Sequence, residues 1–355
     1  MKVESVTAPL RVLVVKLSSL GDVVHTLPAA MDIQAHFPSA QIDWVVEPSF
    51  APIVKACSAV HRVIACDLRY WRKNIWSQET RVAWHAFLAE LHQERYDAII
   101  DLQGLTKSAL VSWLARTSHK GKRYAMANAT DGSAYERPTR WAADVAIELE
   151  RHIHAMTRGR LLCAKALKYE VPAILQYGLS PSKNIYAIDK SQALQDAIDK
   201  HQQIAHSDKN LLVFVHGTSR ADKEWPLANW HELGLRLSNT GYQIALPHGN
   251  EEERLRCVAM AEMIPGANVW PRMSIDSLMQ AMASTAGVIG VDSGLSHIAV
   301  ALNLPHVQIY NFDTAWRTGP KGWAWQQSVF ARPTPSPGAV LSAWTACMAS
   351  ETHQP

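Results

Sequence analysis

Continuous apolar runs of four or five residues recur along this chain, each leading into a polar, glycine-bearing turn and then into apolar residues at helical spacing. The first run, residues 12–15 (VLVV), is β-branched and short, so it predicts a strand covered on both faces. LSSLGD turns the chain, and VVHTLPAAMDIQAHF carries a helical pattern. QIDWVV and VHRVIACD predict two more strands, residues 98–101 a fourth, and the stretch holding Lys120, Lys122 and Arg123 a fifth. Helices are expected over about 78–94 and over 141–168. The turn-rich YEVPAILQYGLSPSKN reads as a linker. From about residue 185 the alternation restarts, with strands expected at 211–215 and in YQIAL, ANVW, VIGV and HVQIY. Prolines at 333, 335 and 337 mark a break before a last helix at 338–348.

This doubling of one βα layout predicts an α/β protein of two doubly wound, Rossmann-like domains facing each other across a central cleft. The expected domains are 1–175, 176–335 and a C-terminal helix in 336–355 that returns to pack on the first domain. Size agrees, because 355 residues exceed the roughly 250–300 at which a single core splits.

Composition narrows the function. No apolar run approaches the ~18 residues of a membrane span, and MKVESVTAPL has no signal-peptide core. The five cysteines form no CxxC pair, which points to a reducing cytoplasm and away from a disulfide framework or zinc site. Net charge is +3, with 22 Lys and Arg against 17 Asp and Glu in residues 1–180. A basic front half suits an anionic partner, but the excess is too small for a nucleic-acid-binding footprint.

The chemistry sits where expected strands end, since open parallel sheets bind ligands at their carboxyl edges. Asp22, beside Gly21 and close to Ser19, stands at the mouth of a helix whose dipole favours its ionised form, making it a candidate general base or a simple cap. Gln103 and Lys107 follow the 98–101 strand and are expected to point into the same crevice. GLTKS there lacks the GxxxxGK spacing of a phosphate loop. Arg69, Arg72 and Lys73 interleave with Tyr70, Trp71 and Trp76 in an expected loop, a pattern suited to an anionic ligand or membrane surface. In the second half, Thr218, Ser219 and Lys223 follow one strand. Asp292, Ser293, Gly294, Leu295 and His297 lie where another hands over to a helix with free N–H groups, an arrangement suited to a diphosphate. Glu251 to Glu253 follow a third strand end and offer a carboxylate for ribose hydroxyls. GxGxxG is absent from both halves, which argues against a dinucleotide dehydrogenase.

KLSSLGDVVHTLPA, DLQGLTKSA, TSRADKEWP and VDSGLSH, in this order, resemble the lipopolysaccharide heptosyltransferase I family, inverting ADP-heptose glycosyltransferases of the GT-B fold. The heptosyltransferase II family and other ADP-sugar transferases of that fold are the alternatives, with a non-catalytic sugar-nucleotide binder further off. The resemblance implies transfer of L-glycero-D-manno-heptose from ADP-heptose to the first Kdo of Kdo2-lipid A, at the cytoplasmic face of the inner membrane of a Gram-negative bacterium, with no metal, no other cofactor and no nucleic acid. It implies that Asp22 is the base and that Lys223 contacts the phosphates. Thr218, Ser219, Asp292, Ser293, Gly294, Leu295 and His297 would surround the donor. Glu253 would bind ribose, with Glu251 also open. Ser19, Gly21, Arg69, Arg72, Lys73, Gln103 and Lys107 would face the acceptor. The chain departs from the family pattern at His248, in NFDTAWRTGP, which leaves Asp313 and Thr314 without a role, and around ERPTRW.

Overall fold

The computed structural model describes residues 9–179 and 210–351. The chain forms two compact units, Met1–Leu179 and Ser180–Pro355. The last residues of the expected linker and the expected restart near 185 lie outside the described residues.

The first unit holds β1 (Arg11–Val15), α1 (Leu20–His36), β2 (Gln41–Val46), α2 (Ala51–Lys55), β3 (Arg62–Ala65), α3 (Leu68–Lys73), α4 (Gln78–Leu91), β4 (Tyr96–Asp101), α5 (Thr106–Leu114), β5 (Thr117–Met126), α6 (Pro138–Trp141), β6 (Val145–Ile147) and α7 (Ala155–Leu167). Its six strands run parallel in the order β3-β2-β1-β4-β5-β6. Val12 to Val15 are fully buried, as an apolar run between two helical layers requires.

The second unit repeats this plan with β7 (Leu211–Val215), α8 (Leu227–Ser238), β8 (Gln243–Leu246), α9 (Glu251–Met263), β9 (Ala267–Val269), α10 (Ile275–Ala283), β10 (Gly287–Val291), α11 (Gly294–Ala301), β11 (His306–Tyr310), α12 (Ala315–Thr318), β12 (Gln326–Phe330) and α13 (Pro337–Glu351). Its sheet, also parallel, has the order β12-β11-β10-β7-β8-β9. In each sheet the first strand of the unit lies beside the fourth, and strand order reverses between them. That junction opens a crevice at the carboxyl ends of the two strands, the usual ligand site of a doubly wound sheet.

Two expectations change. Residues 141–168 are not one helical region, because Val145, Ala146 and Ile147 pair with Tyr124, Ala125 and Met126 as edge strand β6. Partner-strand pairing overrides the helical tendency of this alanine-rich stretch. His154 then starts α7, its Nδ1 accepting from the Met156 N–H at 3.2 Å. Arg69, Arg72 and Lys73 lie not in a loop but on α3, whose start is capped by Asp67 accepting from the Tyr70 N–H. The C-terminal helix packs on α8, β11 and β12, because Val340, Trp344 and Cys347 are buried in the second core. β12, which no expectation covered, completes that sheet beside β11.

The first part of the expected linker is tied down. Cys57 and Leu179 form an antiparallel bridge, and Arg160 donates to the Pro172 carbonyl at 2.6 Å. Arg160 on α7 also grips Asp32 on α1 through Nε (2.6 Å) and Nη2 (2.9 Å), with both side chains buried. A buried pair of this kind is sensitive to loss of one partner, which leaves the other charge uncompensated. Asp32→Asn should therefore lower stability by about 3–5 kcal/mol in urea denaturation, and Asp32→Leu combined with Arg160→Met should recover most of the loss.

Candidate active site

In the first unit the site grows from the end of β1. Ser19 is the N-cap of α1 and Asp22 sits in its first turn. Asp22 Oδ2 accepts from the Ser19 N–H (3.3 Å) and hydroxyl (2.9 Å), while among the described residues no donor reaches Oδ1. The half-buried carboxylate thus has one oxygen held and the other open. Partial burial works to raise its pKa, but the charge of Lys16, the two Ser19 hydrogen bonds and the charge of Arg158 outweigh it. Asp22 is held below the ordinary aspartate range and is ionised at neutral pH.

β4 contributes the other wall. Gln103 Oε1 accepts from the N–H groups of Leu17 and Ser18, each at 3.1 Å, and so pins the loop that carries Ser19 and Gly21. Lys107 Nζ donates to Ser18 Oγ (2.9 Å) and to Glu47 Oε1 (3.0 Å). The expected crevice residues Gln103 and Lys107 are therefore committed to the loop, and they fix its shape. Asp101, at the end of β4, accepts from the Gln103 and Gly104 N–H groups and from Ser108 Oγ. Burial pushes its carboxyl up to about 6 against these donors and Lys16.

Ser19, Gly21, Asp22, Gln103 and Lys107 meet at the β1–β4 junction. Arg69, Arg72 and Lys73 follow β3, two strands away at the sheet edge, and are exposed. Beside them Trp76 is 91% and Ile75 61% exposed. Trp71 turns inward against Trp84 and Phe87.

In the second unit the end of β10 supplies Asp292, buried and contacted from four directions. Its Oδ2 accepts from Lys223 Nζ at 2.6 Å. Its Oδ1 meets His297 Nε2 (3.4 Å), Gln308 Nε2 (3.4 Å) and Thr318 Oγ1 (3.3 Å). Burial opposes its charge, yet His297 and Lys223 more than offset burial and hold the carboxyl well below the usual range. The Asp292 side chain is thus a mount for Lys223 and His297. An anion expected around a diphosphate would repel it, and this geometry removes that difficulty.

Ser293 is the N-cap of α11 but its side chain makes no capping bond, and its Oγ is buried without a partner among the described residues. The N–H groups of Gly294, Leu295 and Ser296 begin the helix and have no partner within it. Gly290 lets this helix start close to the sheet, since a β-carbon there would collide with Ser296 Oγ and lie 2.8 Å from Val215. From the end of β7, Thr218 Oγ1 donates to the Asp292 carbonyl at 3.3 Å, while Ser219 is exposed.

The glutamates after β8 separate clearly. Glu251 is exposed and paired with Arg254 at 2.6 Å. Glu253 turns back to the strand ends, where its Oε2 accepts from the Gly249 N–H at 2.7 Å. A β-carbon at Gly217 would lie 2.8 Å from Glu253 Oε1, so glycine is what admits the carboxylate there. Arg256 pairs with Glu224 at 2.8 Å rather than with Glu253.

Lys16, Glu47, Asp101, Arg158, Gln308 and Thr318 complete the two sites and were not singled out in the sequence. Lys16 and Asp101 had a legible signal, a charge at the end of an apolar strand. Arg158 comes from α7 and Thr318 from α12, where nothing local marks them. Among the described residues there is no group of three or more His, Cys, Asp or Glu placed to hold a metal ion, and no helix long and apolar enough to cross a membrane.

The family model of glycosyltransferase family 9 (heptosyltransferase) matches residues 84–337. Lipopolysaccharide heptosyltransferase 1 of Salmonella typhimurium is 40% identical over 305 residues, covering 85% of this chain and 88% of that protein. Lipopolysaccharide heptosyltransferase 2 of Escherichia coli is 26% identical, over 85% of this chain and 82% of that protein. Among solved structures, E. coli heptosyltransferase WaaC with ADP superposes with a TM-score of 0.78 at 33% identity, over 94% of this chain and 98% of that one. With the two parallel sheets these matches place the architecture in the GT-B class. The chain belongs to glycosyltransferase family 9, the heptosyltransferases.

Proposed function

We propose that this protein is an inverting ADP-heptose glycosyltransferase that moves L-glycero-D-manno-heptose to the first Kdo of Kdo2-lipid A in lipopolysaccharide inner-core synthesis. The reading is supported most by Asp22, an ionised carboxylate with one oxygen tied to Ser19 and the other open at the β1–β4 junction. The higher identity to heptosyltransferase 1 than to heptosyltransferase 2 favours the Kdo acceptor over a heptosylated one.

The reaction is a single in-line displacement. Asp22 Oδ1 takes the proton of the acceptor hydroxyl as that oxygen bonds to the anomeric carbon. The bond from carbon to the diphosphate oxygen breaks, and its electron pair leaves with ADP. The transition state has oxocarbenium character, as in glycoside hydrolysis. Lys223 and the N–H groups at the start of α11 meet the negative charge growing on ADP, so the protein's own groups supply the electrostatic stabilisation. Asp292 holds Lys223 in place, and His297 with it. Glu253 receives the ribose hydroxyls, its second oxygen being held by the Gly249 N–H. ADP-heptose is a substrate, and the scheme uses no metal. Arg69, Arg72 and Lys73, beside the exposed Trp76 and Ile75, recognise the anionic acceptor and rest on the cytoplasmic face of the inner membrane, where aromatic and basic groups together suit an anionic surface.

Mass spectrometry of Kdo2-lipid A incubated with ADP-heptose should show gain of one heptose with the wild-type protein, and Asp22→Asn should slow that transfer roughly 10²–10⁴-fold. Heptose addition only to an already heptosylated acceptor would overturn the acceptor assignment, and full activity of Asp22→Asn would overturn the base. Lys223→Ala should lower kcat by about 10²–10³-fold and weaken ADP binding, with unchanged donor kinetics counting against its place. Replacing Arg69, Arg72 and Lys73 together by alanine should raise the KM for Kdo2-lipid A and leave the KM for ADP-heptose unchanged in steady-state assays; the reverse would mean these cations serve the donor.

A further inference from the structure

Lys16 is a charged residue where the strand pattern leads one to expect none. It follows β1 directly and is 3% exposed. Its backbone is fixed on both sides by β2, the N–H donating to the Val45 carbonyl (3.2 Å) and the carbonyl accepting from Trp44 Nε1 (3.1 Å). Its ammonium crosses to the carboxyl end of β4, where Nζ donates to the Leu102 carbonyl at 3.2 Å. Among the described residues that is the one acceptor it meets. Burying an ammonium with a single carbonyl partner is costly unless a nearby anion compensates it.

Two carboxylates act on it, Asp22 and Asp101. Asp101 is already supplied by the Gln103 and Gly104 N–H groups and Ser108 Oγ. Asp22 has only Ser19, on one oxygen. The cation is therefore worth most to Asp22. We propose that Lys16 is a positioning residue for heptose transfer, keeping the Asp22 carboxylate charged and its free oxygen available while the acceptor hydroxyl arrives.

This rests on the assignment of Asp22 as base, and it adds a way for the site to reset. Before transfer, Lys16 and Asp22 carry opposite charges. Once Asp22 has taken the acceptor proton, the buried ammonium faces a neutral acid, and its field favours release of that proton to solvent. Burial is the largest influence on Lys16 and lowers its pKa; Arg158 on α7 and Lys107 on α5 act in the same sense, and the charges of Asp22 and Asp101 act against them. His25 on α1 and His154 on α7 stack edge to face one turn beyond Asp22, at 5.7 Å between ring centres. Of the carboxylates, Asp101 with its carboxyl near 6 is the one whose own titration could imitate an effect on Asp22.

The test is the pH profile of kcat/KM in Lys16→Gln, which keeps a donor for the Leu102 carbonyl and removes the charge, and in Lys16→Arg, which keeps the charge. Sign follows from the direction on Asp22: a depressed carboxyl loses its proton at lower pH, so removing the cation moves the acid limb upward. Lys16→Gln should raise the acid limb by about one pH unit or more, a tenfold change in the proton equilibrium for each unit. Lys16→Arg should return it toward wild type. The rise should persist when both proteins also carry Asp101→Asn. A uniform loss of activity with the limb unmoved overturns the proposal, as does a rise that vanishes in the Asp101→Asn background. If Asp22→Asn is itself fully active, the base assignment has failed and not this inference alone. Should Lys16→Gln not fold, carbon-13 NMR titration of Asp22 in the wild-type protein, assigned with Asp22→Asn, decides the point. Titration below the ordinary aspartate value supports the proposal, and titration at or above it overturns it.

Discussion

A carboxylate drawn out of water keeps its charge only beside compensating donors and cations, and both candidate sites are built to meet that requirement. In the first unit Asp22 is half-buried yet ionised, because the charge of Lys16 acts on it and Ser19 donates twice to one of its oxygens. In the second, Asp292 is buried yet ionised, because Lys223 and His297 close on it. Asp101 shows the other outcome. Its donors are the Gln103 and Gly104 amides and the Ser108 hydroxyl, with Lys16 acting on it less, and burial carries its carboxyl up to about 6. Three acids near strand ends, two in the first unit and one in the second, thus have their pKa values moved in different directions by their neighbours.

The same sheet order explains why these groups meet at all. In each unit the first and fourth strands are adjacent, so residues 16–22 and 101–107 come together in one and residues 216–223 and 292–297 in the other. Loops that follow strands deep in a sheet are anchored on both sides, and their side chains inherit that rigidity. Gln103 shows it directly, since one amide oxygen holds two successive N–H groups of the neighbouring loop. The edge strand is different. Arg69, Arg72 and Lys73 after β3 are exposed on a short helix, suited to a large anionic partner rather than to exact placement of a reacting atom.

Much of this was legible along the chain. The β-branched run at 12–15 and its counterpart at 211–215 marked the two central strands, and the glycine-bearing turns after them marked the carboxyl edges. Asp22 and Lys223 follow closely behind those strands, and the turn into α11 follows a third such run, so local pattern placed them. Glu253 could be separated from Glu251 only once its carboxylate was seen against Gly217 and Gly249. The alanine-rich stretch after Trp141 carries a helical pattern, yet it is strand because its state comes from Tyr124 to Met126, about twenty residues away in the chain.

By itself the sequence determined the alternation of strand and helix, the positions of the strand-end turns and the residue types offered there, because these follow from short-range periodicity and turn chemistry. Tertiary structure alone decided which offers are taken up. Lys16 reaching the Leu102 carbonyl, Asp292 mounting Lys223, Arg158 acting from α7 and the last helix closing the second core all depend on packing between segments distant in the chain. A side chain's charge state and partners are set by the atoms packed around it, and linear spacing carries no record of those.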